Sequence, residues 1–308
     1  MRAARYLLHK VFLIAVVGLG VTTLLFVLSR LSGDPAVLMS PPEASARVIS
    51  ATHARLGLDQ PAIVQYLDAV RGAFTFDFGQ SFSFRRPAGE LALQRLGPSL
   101  RLVVPAVVVA AAAALALGTF AALRPSKRRG RVIMAVAFVA DGVPYFVVAL
   151  VLVFAVTLRW LPTTGDQGFA PLVIPVVVLA VLGFATLARL VRGQLLDALG
   201  QGPVLYARSM GVPPRQVLMR HALPLAVPPL LSYLGIQFSI MFGSLLILEP
   251  MFDYEGLGGL LLSSVNDRDF PAVQACVFVI AVFVTVVNLA MDGLVRLIDP
   301  RLAKEVSA

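Results

Sequence analysis

The sequence predicts an all-α integral membrane protein with six transmembrane helices. Of its 308 residues, 58% are hydrophobic and only 14% are charged, whereas ordinary globular domains are about 45–50% apolar and about 25% charged. Segments that cross a hydrocarbon core of ~30 Å need about 20 apolar helical residues. Backbone polar groups in lipid must be satisfied internally, so such segments are expected to be helices. Six segments qualify: residues 10–29, 101–123, 132–158, 171–191, 224–248 and 272–295.

The first apolar segment has two interpretations. Arg2, Arg5 and Lys10 precede it, as basic residues precede the apolar core of a secretory signal peptide. The apolar run is long for such a peptide, and residues 29–32 offer no small-x-small cleavage site. We therefore expect a retained membrane anchor.

The distribution of basic residues predicts that both termini lie in the cytoplasm. In membrane proteins Lys and Arg collect in the short cytoplasmic loops. The short loops 159–170 and 249–271 hold only Arg159 and Arg268. Sixteen of the 26 Lys and Arg fall on the opposite side: Arg2, Arg5, Lys10, Arg124, Lys127, Arg128, Arg129, Arg131, Arg189, Arg192, Arg208, Arg215, Arg220, Arg296, Arg301 and Lys304.

The long segment after the first span, residues 31–100, is expected to form a helical cap on the outer membrane face. Disordered segments are poor in aromatic residues, whereas this one carries five Phe between residues 74 and 84. A second short helix is predicted from Pro87 through Leu96. The first helix is indicated by apolar residues at amphipathic helical spacing, namely Ile63, Tyr66, Leu67 and Val70.

A segment of low apolar content separates the fourth and fifth spans. Residues 203–224 contain Arg208, Arg215 and Arg220 and no acidic residue. Gly211 suits the C′ position of a helix, because glycine adopts a left-handed conformation without steric cost. The two prolines that follow fit the first turn of a new helix. We expect two short helices that form a docking surface on the cytoplasmic face.

Two other places are candidates for a path or gate. Asp141 lies beside Gly142 and Pro144 within the third span, where charge is costly and usually functional. Pro144 is either a hinge or an ordinary membrane-helix proline. The external segment 249–271 combines acids, glycines and aromatics, which is consistent with a re-entrant gate, a binding patch for a basic partner or a plain turn.

The sequence contains no motif for chemistry of its own. It has no G-x-x-x-x-G-K-[ST] phosphate-binding loop, so an intrinsic ATPase is not predicted. The three His are dispersed, and no pair has the spacing of zinc ligands. The net charge of +9 does not indicate nucleic-acid binding, because the basic residues are scattered among loops. We expect the protein to transport a solute or to anchor another molecule rather than to catalyse a reaction.

The segment 203–224 resembles the EAA loop of bacterial binding-protein-dependent ABC import permeases. In that loop Ala-x-x-x-Gly precedes a Leu-Pro pair, and Ala207, Gly211, Leu223 and Pro224 fit the pattern. The chain is similar over nearly its whole length to the B-type subunit of the dipeptide, oligopeptide and nickel permeases. The residues that carry this similarity are Gly33-Asp34-Pro35, Leu56-Gly57-Leu58-Asp59-Gln60-Pro61, Phe76-Asp77-Phe78-Gly79-Gln80-Ser81, Arg95-Leu96, Ser99-Leu100, Trp160-Leu161-Pro162, Glu249, Phe252, Gly256-Leu257-Gly258, Arg268-Asp269-Phe270-Pro271, Asn288, Asp292 and Asp299-Pro300-Arg301.

The resemblance implies a multi-pass subunit of the bacterial inner membrane that binds no cofactor itself. A second homologous permease would share the translocation path, two cytoplasmic ATPases would bind ATP and Mg, and an external binding protein would deliver the substrate. The residues implied in ATPase coupling are Tyr206, Ala207, Arg208, Gly211, Leu223 and Pro224. Those implied in the path or gate are Asp141, Pro144, Glu249, Phe252, Gly256 and Gly258.

The sequence departs from the family pattern at two places. The acidic residue expected near Leu205 or Gly202 is missing. A carboxylate there would cap free N–H groups, so we expect either a weaker start of the first coupling helix or a substitution by Asp197. Glu255 stands where this branch usually has proline before Gly-Leu-Gly, which changes the expected local conformation of the gate.

The predicted organisation is a first helix in residues 1–30, an external loop in 31–100, a permease core in 101–300 and a cytoplasmic tail in 301–308. Two other functions remain as alternatives, an ion-gradient-driven secondary transporter and a membrane scaffold without transport. The first would require an inverted repeat, and the two halves show no obvious internal match. Within the ABC family, peptides, glutathione and nickel chelates all remain possible substrates.

Overall fold

The computed structural model describes residues 2–31, 37, 45–55, 58–124, 128–157 and 172–298. These residues form helices and connecting turns, without a β-strand among them. The helices are α1 (Arg2–Leu31), α2 (Ala46–Arg55), α3 (Ala62–Thr75), α4 (Ala88–Leu123), α5 (Arg128–Gly142), α6 (Tyr145–Thr157), α7 (Val173–Leu199), α8 (Gly202–Ser209), α9 (Pro214–Gln216), a π-helical turn (Val217–Ala222), α10 (Leu223–Met251), α11 (Leu257–Asn266) and α12 (Phe270–Ile298).

The described helices confirm the class of an all-helical membrane protein. Five of them are long and apolar enough to cross a bilayer, and a sixth span is present if α5 and α6 count together. The five are Lys10–Leu31, Ala88–Leu123, Val173–Leu199, Pro214–Met251 and Phe270–Ile298. The side of the membrane on which the termini lie stays a prediction.

The third predicted span, residues 132–158, is not one continuous helix. It consists of α5 and α6, which are bent by 100° at a short break. Pro144 lies in that break, and its carbonyl accepts the first hydrogen bond of α6 from the amide of Val147 at 2.9 Å. Proline removes a backbone donor and its ring clashes with the preceding turn, so a helix can begin at this residue but cannot pass through it unbent.

The segment between the first two spans contains the amphipathic helix predicted from its apolar spacing. This helix is α3, and it packs on α1 through Tyr66. The hydroxyl of Tyr66 lies 2.9 Å from that of Thr23, and its ring meets Phe26 edge-to-face with centroids 5.4 Å apart. The second predicted helix, from Pro87 through Leu96, is not separate, because these residues form the first turns of the 36-residue helix α4.

Several of the quoted motif residues and predicted regions lie outside the described residues. They are Gly33-Asp34-Pro35, Leu56-Gly57, Lys127, Trp160-Leu161-Pro162, Asp299-Pro300-Arg301 and Lys304, together with the loop 159–170 and the tail 301–308.

The chain divides into two compact units, each with its own packing. The first comprises Met1–Ser99 and Glu255–Val286, and the second comprises Leu100–Tyr254 and Val287–Ala308. In the second unit α7 contacts α5, α6 and α10. Its buried positions are mostly small or aliphatic: Ile174, Val178, Leu179, Ala180, Gly183, Ala185, Leu187, Ala188, Val191, Leu195 and Ala198.

Small residues allow α7 to approach its neighbours closely, as is usual where helices meet in membranes. A Cβ atom added at Gly118 of α4 would lie 2.8 Å from the carbonyl oxygen of Ala188 and 2.8 Å from Cβ of Val191. A Cβ at Gly183 would lie 2.4 Å from the terminal methyl of Met241. The backbone contact at Gly118 is the less adaptable of the two, because Met241 can move its flexible side chain.

We predict that Gly118→Ala destabilises the detergent-solubilised protein by about 1–3 kcal/mol, the usual cost of overpacking. The added methyl group would force α4 away from the α7 backbone. Thermal unfolding should therefore begin at a lower temperature. The matched control is Gly193→Ala on α7, where a Cβ meets no atom within 4 Å. Equal melting temperatures for the two variants would contradict this packing argument.

Candidate coupling loop and translocation path

The break predicted at Gly211 is present, and it ends a helix in the expected way. Helix α8 covers Gly202–Ser209, and Gly211 has a φ of 76°. The amide of Val212 donates to the carbonyl of Ala207 at 3.2 Å, and that of Gly211 donates to Arg208 at 3.0 Å. Such bonds satisfy the last carbonyls of a helix, and the left-handed residue between them is usually glycine.

The start of α8 has no side-chain cap. Gln201 occupies the N-cap position in an extended conformation. Its backbone carbonyl accepts hydrogen bonds from the amides of Val204 and Leu205, both at 3.0 Å. Pro203 has no N–H to satisfy. The backbone carbonyl of Asp197 accepts a hydrogen bond from the amide of Gly200 at 3.1 Å. Among the described hydrogen bonds, none joins the carboxylate of Asp197 to the start of α8.

The second helix of the loop begins at Pro214 as predicted, but it is not a separate short helix. Helix α9 continues through a π-helical turn, Val217–Ala222, directly into α10. The amide of Leu223 donates to the carbonyl of Leu218. The wider π turn precedes Pro224, whose ring would clash with the carbonyl four residues earlier in an ordinary α-helix. Leu223 and Pro224 therefore join the loop to a span.

The loop presents large apolar side chains outward. Tyr206 is 67% exposed and Met210 is 66% exposed, and Arg208 beside them is also exposed. The opposite face of the loop, which includes Val204 and Ala207, is buried. An exposed apolar cluster outside the spans usually marks an interaction site. The sequence reasoning included Tyr206 but missed three further exposed residues that are apolar and lie outside the predicted spans: Leu205, Met210 and Met219.

Asp141 belongs to a polar cluster between α5 and α7. Its Oδ2 lies 2.7 Å from Nη2 of Arg189, and the hydroxyl of Thr186 donates to its Oδ1 at 2.9 Å. Residues 186 and 189 are three apart, so they share one face of α7. The sequence reasoning assigned Arg189 to the cytoplasmic end of a span and did not consider Thr186. An unpaired acid within one span should have prompted a search for a basic partner in another.

Glu249 and Phe252 close the C-terminal end of α10. Both side chains are buried. The carbonyl of Glu249 accepts the amide of Tyr254 at 2.8 Å, and the carbonyl of Leu248 accepts that of Phe252 at 3.1 Å. The tight turn also needs Asp253 at a φ of 50°. These residues belong to the second compact unit, so the predicted gate residues do not all fall within one unit.

The glycines of the predicted gate start α11 in the first unit. Gly256 occupies the N-cap position, and Gly258 is buried in the first turn. The amide of Leu257 donates to the hydroxyl of Ser99 at 2.8 Å. Glu255, which replaces the usual proline, pairs with the guanidinium of Arg95, and Arg95 also donates to its carbonyl at 3.1 Å. Glu255 thus has a side-chain partner at a position where proline would have none.

A buried carboxylate connects the segment around Ser81 to α12. Asp269 is fully buried and caps α12, since its Oδ1 accepts the amide of Ala272 at 3.3 Å. Its Oδ2 accepts the hydroxyl of Ser81 at 2.5 Å and the amide of Ser83 at 3.1 Å. Both residues belong to motifs that carry the family resemblance, but the hydrogen bond between Ser81 and Asp269 was not predicted from the sequence.

A protein-family model described as the inner membrane component of binding-protein-dependent transport systems matches residues 114–304. The chain belongs to this family. The glutathione transport system permease protein GsiC of Escherichia coli (strain K12) is 34% identical over 292 residues, which cover 92% of this chain and 95% of the relative. The protein of the same name from Salmonella typhi is 34% identical over 272 residues, covering 88% and 89%.

Solved structures support the same fold. One chain of the MetNI methionine ABC transporter in an inward-facing conformation matches with a TM-score of 0.56 and 19% identity, over 68% of this chain and 96% of that chain. At this identity the likeness concerns the fold alone.

Membership of the family establishes the general function of the chain. It is a permease subunit of a binding-protein-dependent ABC importer and a multi-pass protein of the inner membrane, not the ATPase. Such an importer in general includes a partner permease, an ATPase and a binding protein. This membership decides against a secondary transporter and against a scaffold without transport.

We predict that Asp269→Asn lowers the stability of the permease by about 1.5–3 kcal/mol, the range for hydrogen bonds to a charged group. In asparagine one of the two carboxylate oxygens is replaced by an NH2 group, which cannot accept a hydrogen bond. That group would point at the backbone N–H of Ser83 or of Ala272, so at least one buried hydrogen bond would be lost. Thermal unfolding in detergent measures the effect. Asp267→Asn is the control, because Asp267 is exposed and lies 3.4 Å from the hydroxyl of Ser83. A control variant as unstable as Asp269→Asn would refute the role of the buried cap.

Proposed function

We propose that the chain is one of two permeases that share a translocation path, and that each of two ATPases docks on one permease. On this chain the ATPase would bind the loop between α7 and α10, on the cytoplasmic side of the membrane. The observation that carries this proposal is the outward face of α8, where Tyr206 and Met210 are about two-thirds exposed beside Arg208. Aromatic, Met and Arg side chains are the residues most enriched at protein interfaces.

The continuity of the helix after the loop supports a mechanism of coupling. The rod from Pro214 to Met251 runs from the loop into a span without an intervening turn. A displacement of α8 would be transmitted through Gly211 to the helix that begins at Pro214, because the glycine lies between these two helices. Closure of the ATPases on ATP would thereby rock α10 between inward- and outward-open states, a rigid-body type of switch.

We further propose that the path carries a small peptide or a related solute such as glutathione. Two relatives of this chain are named as glutathione permeases, and the motif residues resemble those of the dipeptide and oligopeptide branch. Asp141 and Pro144 at the broken span, and Glu249, Phe252, Gly256 and Gly258 at the ends of α10 and α11, would line the path or its gate. ATP-driven uptake of glutathione and of dialanine into proteoliposomes that contain the complete importer would show which solute is preferred.

Gly211→Ala should reduce ATP-driven uptake several-fold, because an L residue in the left-handed region costs roughly 1–2 kcal/mol. There is space for the methyl group, since nothing lies within 4 Å of the added Cβ. The effect would therefore come from backbone strain alone. Gly202→Ala is a matched control at an equally open position without a positive φ. Uptake should be measured in proteoliposomes at saturating ATP, and equal rates for both variants would argue against a hinge at Gly211.

Replacing both Tyr206 and Met210 by Ser should weaken binding to the ATPases by about tenfold or more, since buried interface anchors often contribute 2 kcal/mol or more each. The affinity of the purified permease for the ATPases can be measured by surface plasmon resonance. A matched control replaces Ile63 and Leu67 by Ser, because these residues are similarly exposed on α3 but belong to the predicted external loop. Unchanged affinity in the α8 variant would exclude this face as the docking surface.

A further inference from the structure

A charged cluster lies inside the spans, away from the coupling loop. Asp141 is 13 residues beyond the start of α5 at Arg128, which is about 20 Å along the helix at 1.5 Å per residue. Arg189 is 10 residues before the end of α7 at Leu199, or about 15 Å from that end. Asp141 is thus the penultimate residue of α5, at the break of the bent pair α5 and α6, and Arg189 lies inside α7.

More than a third of each charged side chain is exposed. The side chain of Asp141 is 39% exposed and that of Arg189 is 35% exposed. Ionised groups at membrane depth face a water-filled cavity or protein, not hydrocarbon, because charge in the bilayer centre is costly. The residues of the break beside Asp141 are exposed as well, namely Gly142, Val143 and Pro144. In this chain the carboxylate is therefore accessible from the side of the bent pair of helices.

The two charged groups retain capacity for further partners. In the described hydrogen bonds of Arg189, Nη2 alone is the donor, to Asp141 at 2.7 Å and to Thr186 at 3.3 Å. A guanidinium group has five N–H donors in a fixed plane, so Nη1 and Nε can still bind an anion. A carboxylate offers about four lone-pair sites, and Asp141 uses one contact on each oxygen.

We propose that Asp141 and Arg189 form a binding site in the path for a small zwitterion, with Asp141 binding the ammonium group and Arg189 binding the carboxylate. This assignment rests on the proposed function, and it defines the substrate class of the same path. The two groups together form a neutral ion pair. A zwitterion that binds both of them leaves the net charge at zero, whereas an ion of single charge would bind only one of the two groups and leave the other without its partner. A short peptide with free termini has the required chemistry.

The test measures how uptake depends on each end of the substrate. The complete importer, with the ATPases and the binding protein, is reconstituted in proteoliposomes. Uptake of dialanine, N-acetyl-dialanine and dialanine amide is then compared. The binding protein is the same in every sample, so its own selectivity cancels when the uptake ratios of a variant are divided by those of the wild type.

Asp141→Asn should reduce the preference for dialanine over its N-acetyl form by about tenfold, as expected for one lost charge-assisted hydrogen bond. The preference for dialanine over its amide should stay within about twofold, since that end is not affected. Arg189→Gln should give the opposite pattern. Asp141→Glu and Arg189→Lys, which retain the charges, should keep both ratios close to those of the wild type. Asp197→Asn and Arg192→Gln on the same helix are the matched controls.

A structural brace would give a different result. If the pair only holds α5 against α7, the neutral variants would lower uptake of all three compounds by the same factor, and the ratios would not change. That result overturns the site and leaves the importer function intact. A wild-type importer whose ATPase responds to the binding protein, but which takes up no dialanine, would instead contradict the proposed class of small-peptide substrates.

Discussion

The structure depends on one constraint, that backbone and charged groups at membrane depth must find partners within the protein. Two places in the second unit show how it is met. Near Pro144 the span breaks, and a new helix begins with the proline carbonyl as its first acceptor. Beside the break, the carboxylate of Asp141 is bonded by Arg189 and Thr186. Before Pro224 the helix widens into a π turn and continues. The helix is therefore bent at Pro144, whereas it continues past Pro224 without a break.

In the first unit, buried polar contacts join elements that are distant along the chain. Asp269 joins α12 to the segment around Ser81, and Ser99 binds the first amide of α11. Glu255 adds a more exposed contact in the same unit, since Arg95 binds both its carboxylate and its carbonyl. Hydrogen bonds of this kind are directional, so each one depends on the positions of both its partners.

The proposed docking loop and the charged cluster have two different kinds of surface. The outward face of α8 is apolar and basic, which suits a protein partner that excludes water. The cluster at Asp141 is ionic and partly exposed, which suits a hydrated solute. Helix α7 carries Arg189 and leads directly into α8, so a displacement of the loop would also move one side of the cluster. Docking and solute binding would in this way act on the same helix.

The sequence by itself determined the helical membrane class, the amphipathic helix α3, the break at Gly211 and the family. These follow from hydrophobic content, local spacing and the conformational freedom of glycine, all of which act over a few neighbouring residues. Tertiary structure decided that Arg189 pairs with Asp141, that Ser81 meets Asp269 and that Tyr206 faces outward. It also decided that the helix after Gly211 continues into α10. These features depend on which helix faces lie together, and contacts between residues distant in the chain leave no periodic signal in one sequence.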